Sequence, residues 1–187
     1  IGQIKQIRSE YLNGRRILRT KFLNRLVTEQ LDGQDIRKQM EKYGIFLNGN
    51  CYLLAMIEEK DETSFRSSPF YDKKDLGYFA ILNIAEEVLE REENALACQM
   101  RNGSIGLLFG AAMQPELQLK AKRICNELER SIRNYLNIQV ILYIGKMVPV
   151  LEELTASEQS IRRMEEYSYL YSNKTIYQAC DLDINSQ

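Results

Sequence analysis

The stretch ACQMRNGSIGLLF, residues 97–109, constrains this chain more than any other. Two apolar runs meet at Asn102-Gly103, the dipeptide of tight hairpin turns, because Asn and Gly tolerate positive φ. The spacing predicts strands at about 95–101 and 104–110. On either side stand helical patterns. Leu76, Phe79, Ala80, Ile84 and Val88 recur on one face of a helix from Asp75 to about Glu92. After the hairpin, Pro115 suits the first turn of a helix, where its missing N–H costs nothing. Leu117, Ala121, Ile124, Leu128, Ile132 and Tyr135 then form a stripe at spacings of three and four.

Two short apolar runs complete the frame. CYLLAMIE (51–58) reads as a strand, and IQVILYIG (138–145) as a strand in the centre of a sheet, covered by helices. Residues 60–74, with Pro69 and paired serines, read as a loop. A last helix over about 151–171 directs Leu154, Ile161, Met164 and Ser168 inward, and NKTIY (173–177) reads as a closing strand. After residue 50 the order is β-α-β-β-α-β-α-β. That order predicts an α+β fold, a mixed sheet with helices packed on it.

The N-terminal segment has a different character. Ile4, Ile7, Tyr11, Leu18, Phe22 and Leu26 mark one face of a long helix over about 3–31, interrupted by Gly14. The first half of the stripe has nothing nearby in sequence to cover it, which makes Ile4, Ile7, Tyr11 and Leu18 candidates for a dimer helix. The second half, FLNRLVTEQL, is expected to dock on the body. Asp32-Gly33 breaks the helix, and Asp35 is expected to cap a short one, DIRKQMEKYG, closed by Gly44. Residues 1–44 thus read as linker and dimerisation helices, and residues 45–187 as the α+β domain.

Composition narrows the chemistry. The chain contains no histidine, which removes Ser-His-Asp and Cys-His catalysis and every His-ligated metal site. Its four cysteines (51, 98, 125 and 180) have no CxxC spacing and are expected to be reduced thiols in a cytoplasmic protein. Residues 1–25 carry seven Lys or Arg against Glu10 alone, a net of +6; with −1 overall, the remainder holds −7. Such a basic helix suits a solvated face, nucleic acid or the inner side of a membrane. No apolar run is long enough to insert into a bilayer, and because the chain starts at Ile1 it is expected to be a piece of something longer. The acid-rich run Glu58-Glu59-Lys60-Asp61-Glu62 reads as a solvated strand end rather than a cation site, since adjacent strand residues point to opposite faces. Tyr167 and Tyr171 of YSYLYSN read as cover for the edge of a core rather than as a stacking platform.

Two stretches carry a family likeness. FLNRLVTEQLDGQDIRKQMEKYGIFLNGNCYLLAMIE and IQVILYIGKMVPVLEELTASEQSIRRM resemble the middle region of AraC-type response regulators of the YesN kind, a likeness running from about residue 17 to 177. The resemblance implies a bacterial transcription regulator of a two-component system. In it this region would join an upstream receiver or membrane sensor to a C-terminal helix-turn-helix pair outside this chain, through which the parent would contact DNA. The parent is expected in the cytoplasm, free or membrane-tethered. That middle region is in turn similar to the diguanylate cyclase domain of the GGDEF signature, a ferredoxin-like fold. The resemblance then places Arg101, Asn102, Gly103 and Ser104 where the signature would lie.

The signature's residue types have a chemical reason. Paired glycines admit phosphates close to the backbone, and one carboxylate in the turn with another at the end of the first strand holds Mg²⁺. Here the turn offers one Gly and no acid, and only Glu58 or Glu59 stands on the strand side. Arg91-Glu92-Glu93-Asn94 likewise lacks the acid of the family's Arg-x-x-Asp product site. The expectation is a degenerate, non-catalytic domain without a cofactor, acting as a relay and dimerisation module. The alternatives are a small-molecule or nucleotide sensor and an active cyclase with an unusual site.

Overall fold

The computed structural model describes residues 2–170 and 173–181. The elements in chain order are α1 (Gly2–Thr28), α2 (Gly33–Tyr43), β1 (Cys51–Glu59), α3 (Lys74–Glu90), β2 (Ala95–Gln99) and β3 (Ile105–Ala111). There follow α4 (Gln114–Leu136), β4 (Val140–Ile144), α5 (Leu154–Ser168, entered through a 3-10 turn at Leu151–Glu153) and β5 (Ile176–Gln178). The sheet order is β2-β3-β1-β4-β5. β1 runs antiparallel to both β3 and β4, and only β5 joins in parallel, beside β4. The α+β reading and the long N-terminal helix are both seen. From β1 to β4 the topology is the split β-α-β-β-α-β of ferredoxin-like folds.

β1 sits in the middle of the sheet, and its first seven residues are all buried. Cys51, Leu53, Ala55 and Ile57 face a core shared with Ile81, Leu128 and Ile132 of α3 and α4. Tyr52, Leu54 and Met56 face the opposite core, shared with Leu23 and Leu26 of α1, Ile36 of α2 and Leu154 and Ile161 of α5. The molecule therefore has three layers: α3 and α4, then the sheet, then α2, α5 and the second half of α1. Where β4 leaves the ladder, Ser157 Oγ of α5 accepts the Leu54 N–H at 2.9 Å, so the central strand stays bonded.

The 138–145 strand is interior as expected, paired on both edges and buried, although β1 holds the middle place in the sheet. Several expectations need correcting. α1 ends at Thr28 and not near residue 31. α2 begins at Gly33, which puts Asp35 in its first turn, with Asp32 before the helix. The inward face of α3 is Ile81, Leu82, Ala85, Val88 and Leu89, whereas Leu76 and Phe79 are each 52% exposed. α3 is apolar on several sides, and at Gly77 it lies close against the Phe65 ring and the Phe70 Cβ, leaving no room for a side chain. Tyr135 is exposed because the stripe of α4 continues to Leu136, which packs on the core in its place. The closing strand starts at Ile176, later than expected, and Tyr171 lies outside the described residues.

The four cysteines are free, with 51, 98 and 125 buried. Burial pushes the Cys98 and Cys125 thiols up to about 12, so neither is a ready nucleophile.

Truncation separates core from surface. Phe109→Ala, at a fully buried position of β3, is expected to lower unfolding stability by about 3–5 kcal/mol. Tyr135→Ala should change it by less than about 0.5 kcal/mol. Urea unfolding curves of the two variants check both values.

Candidate functional site

The hairpin turn lies at one corner of the sheet, beside the last residues of β1, where Ile57 pairs with Ile105. Met100 N–H donates to Ser104 C=O at 2.8 Å, and Gly103 N–H to Met100 C=O at 3.1 Å. Only Gly103 takes positive φ (89°), while Asn102 does not. The loop is therefore a three-residue connection ending in a left-handed glycine. Asn102 Oδ1 accepts the Ser104 N–H (3.2 Å) and the Ser104 hydroxyl (2.5 Å), which stiffens the turn from within.

The two β1 carboxylates beside this turn diverge. Glu59 faces the α3 layer, and its Oε2 lies 3.2 Å from Lys74 Nζ. On that side Tyr78 packs against Phe65 with ring centroids 5.4 Å apart, and a Cβ on Gly103 would lie 3.7 Å from the Tyr78 ring. Aromatic side chains thus fill the space between the turn and Glu59. Burial first, then the nearby Glu59 and Glu58 charges, push the Tyr78 hydroxyl up to about 12.

Glu58 points the other way, toward α5. Burial, a hydrogen bond with Glu165 and that group's charge push its carboxyl up to about 8, with Arg162 opposing. The opposite-face expectation holds for the pair, but Glu58 is only partly solvated, with α5 packed over it. Behind it the Tyr143 and Ser168 hydroxyls are hydrogen-bonded at 2.7 Å. Among the described residues no three His, Cys, Asp or Glu side chains gather closely enough to hold a metal ion. Of the Arg91–Asn94 stretch, Arg91 pairs with Glu127 and Glu92 with Arg123, both across to α4.

One residue of this corner escaped the sequence reading. Asn24 of α1 is 4% exposed and lies against the outer edge of the hairpin. Its Nδ2 donates to Gln99 C=O (2.9 Å) and to Thr20 C=O (2.8 Å), and its Oδ1 accepts the Arg101 N–H (2.9 Å). The side-chain amide thus stands where the peptide group of another strand would stand, bolting α1 to the last residue of β2 and the first of the turn. The available signal was a polar residue on an otherwise apolar docking face, between Leu23 and Leu26. The residues brought together here are Arg101–Ser104, Glu59 and Asn24. Ile4, Ile7, Tyr11 and Leu18 lie apart on α1, 71%, 65%, 64% and 49% exposed. No helix among the described residues is long and apolar enough to cross a membrane.

No family model matches the chain, and no curated protein matches it. Among solved structures the chain is similar to the crystal structure of the diguanylate cyclase SiaD in complex with its activator SiaC from Pseudomonas aeruginosa. That match has 13% identity and a TM-score of 0.46, and covers 94% of this chain and 70% of that one.

The Glu58 carboxyl has a sign that can be tested. Between its unfolded value near 4.5 and its folded value of about 8, the folded state holds a proton that the unfolded state has released. Its contribution to stability is complete below about pH 4.5 and is lost as pH rises through 8. Wild type should therefore lose roughly 4 kcal/mol between pH 5 and pH 9 relative to Glu58→Gln, at about 1.4 kcal/mol per pH unit over most of that range. Parallel denaturation profiles of the two proteins would refute the assignment.

Proposed function

We propose that this chain is a non-catalytic relay and dimerisation module of a bacterial AraC-type transcription regulator. In this reading residues 1–44 receive a change from an upstream receiver or sensor, and residues 45–187 pass it toward a DNA-binding region outside this chain. The observation that carries the proposal is Asn24. A helix whose first half is free of the body is hydrogen-bonded, at its buried half, to the backbone of the one turn that chemistry would otherwise use. Rotation or translation of α1 must therefore move Gln99 and Arg101 or break two buried hydrogen bonds, which opposes the movement by about 1 kcal/mol each. The turn itself offers no carboxylate, Glu59 is held by Lys74, and aromatic rings occupy the space between them.

The free half of α1 suits a second copy of itself. Ile4, Ile7, Tyr11, Gly14 and Leu18 alternate by three and four residues, the seam of a two-stranded coiled coil. Lys21 and Arg25, the next positions of the repeat, are exposed charges, so the seam stops where docking on the body begins. Glu10 is the one acid of this basic segment. In a parallel, in-register pair it flanks the seam opposite Arg15 of the other copy. An antiparallel pair would instead set Arg8 and Arg15 against each other.

Three measurements test the reading. Sedimentation at increasing concentration should show a dimer that Tyr11→Glu abolishes, and a strict monomer would remove the dimer half of the proposal. Amide shifts of Arg101–Ser104 should respond to Tyr11→Glu in the wild-type background and not in Asn24→Ala; an equal response in both would exclude Asn24 as the coupling. Incubation with GTP or ATP and Mg²⁺, followed by chromatography, should leave the nucleotide intact, and any cyclised or condensed product would overturn the non-catalytic reading.

A further inference from the structure

Among the described residues β2 is an edge strand of the sheet, and most of its outer edge has no partner. Met100 N–H donates to Ser104 C=O and Gly110 N–H to Asn94 C=O, so the even-numbered residues of β2 turn their backbone groups toward β3. Ala95, Ala97 and Gln99 turn theirs outward. Asn24 takes the Gln99 carbonyl and the Arg101 N–H. Three N–H groups (95, 97, 99) and two carbonyls (95, 97) then have no partner among the described residues. Ala97 is 5% exposed, so its unpaired groups lie in a recess and not on open surface, where the lack of a partner is costly. The recess is a groove of about 520 Å³ with Ala97, Cys98 and Gln99 of β2 as its floor, α3 as one wall and α1 as the other.

The two walls differ in chemistry. On the α3 side stand Phe79, 52% exposed, and Leu82. On the α1 side stand Arg16, Arg19 and Lys21 around the exposed Ile17, with a single acid, Glu86, across the mouth paired to Arg16 at 3.3 Å. A strand added beside β2 sends alternate side chains to the two faces of the sheet, one set toward the apolar wall and the other toward the cationic wall. We infer that the β2 edge is a docking site for an extended segment of a partner protein in which acidic residues alternate with apolar ones. Backbone pairing supplies the affinity and the two walls supply the selectivity. Asn24 closes one end of the open edge and the bend at Asn94 the other, which leaves room for about five residues, or about 17 Å.

Charge decides against a second copy in the same place. Pairing β2 with β2 would set Arg16, Arg19 and Lys21 of both copies along one seam, whereas an acidic segment neutralises them. Arg16 and Thr20 fall on the side of α1 away from Leu18, at ~100° per residue, so the groove and the Ile4–Leu18 stripe can be occupied together. The inference is thus independent of the relay reading: it is measured at Ala97 and Gln99, and the relay at Arg101–Ser104.

The test is selection of displayed random dodecapeptides on the whole 187-residue chain, followed by fluorescence anisotropy with the enriched peptide. Alternating acidic and apolar residues are expected in the enriched sequences. Binding should weaken at least tenfold in the double variant Arg16→Glu, Arg19→Glu, and equally when the peptide is N-methylated at the alternate amides that would face β2. The second arm does not depend on the variant folding. Hydrogen exchange should show the Ala97 and Gln99 amides fast in the free protein and slowed by the peptide. Enriched peptides without the alternation, binding indifferent to N-methylation, or slowing at these amides with protein concentration alone would each overturn the inference, the last by placing a second copy there.

Discussion

The structure depends on a strand whose first seven residues are all buried. β1 is paired on both edges and apolar on both faces, so covering one face leaves the other exposed until a second helical layer is found. α3 and α4 supply the first cover through the two crossovers of the split β-α-β-β-α-β unit. The second cover comes from both ends of the chain, with α5 after the last crossover and α2 with half of α1 before the first strand. The N-terminal helix is thus a structural part of the body for its second half and free of it for its first. That division in one continuous helix is the feature on which the proposed relay rests.

The hairpin corner follows from the same arrangement. Because α1 must reach the sheet to cover β1, it passes the edge of β2, where a strand would otherwise continue the ladder. Asn24 fills that vacancy with a side-chain amide at the end of β2 nearest the turn. Farther along the edge α1 stands off, and the remaining backbone groups line a groove. Across the corner, Glu58 and Glu59 are sent to opposite layers by the pleat of β1, one against Glu165 and the other against Lys74. Two carboxylates adjacent in sequence are therefore kept from acting on one ligand.

Much of this was legible in the residues, and the failures share a cause. The hairpin, the strand at 51–58 and the stripe Leu117-Ala121-Ile124-Leu128-Ile132 were readable because local periodicity and turn chemistry agree there. The stripe on α3 was misread because DLGYFAILNIA is apolar on more than one side. Which side turns inward is decided by distant partners, the Phe65 ring against Gly77 and the β1, β3 and α4 residues of the core. Tyr135 and Leu136 are both apolar continuations of the α4 stripe, and of the two it is Leu136 that packs against the core. Asn24 was passed over because its partners, Gln99 and Arg101, stand more than seventy residues away.

By itself the sequence determined the order and type of the elements, the Asn-Gly turn, the lack of an acid in that turn, and the lack of any histidine with which to build another kind of site. These are properties of single residues and of neighbours a few positions apart. The tertiary structure alone decided which face of each helix is buried, that Glu58 holds its proton to about pH 8, that Asn24 completes the end of the β2 edge, and that the rest of this edge stays open between a cationic and an apolar wall. Each of those depends on burial or on a hydrogen bond between distant segments, and neither exists until the second helical layer closes over the central strand.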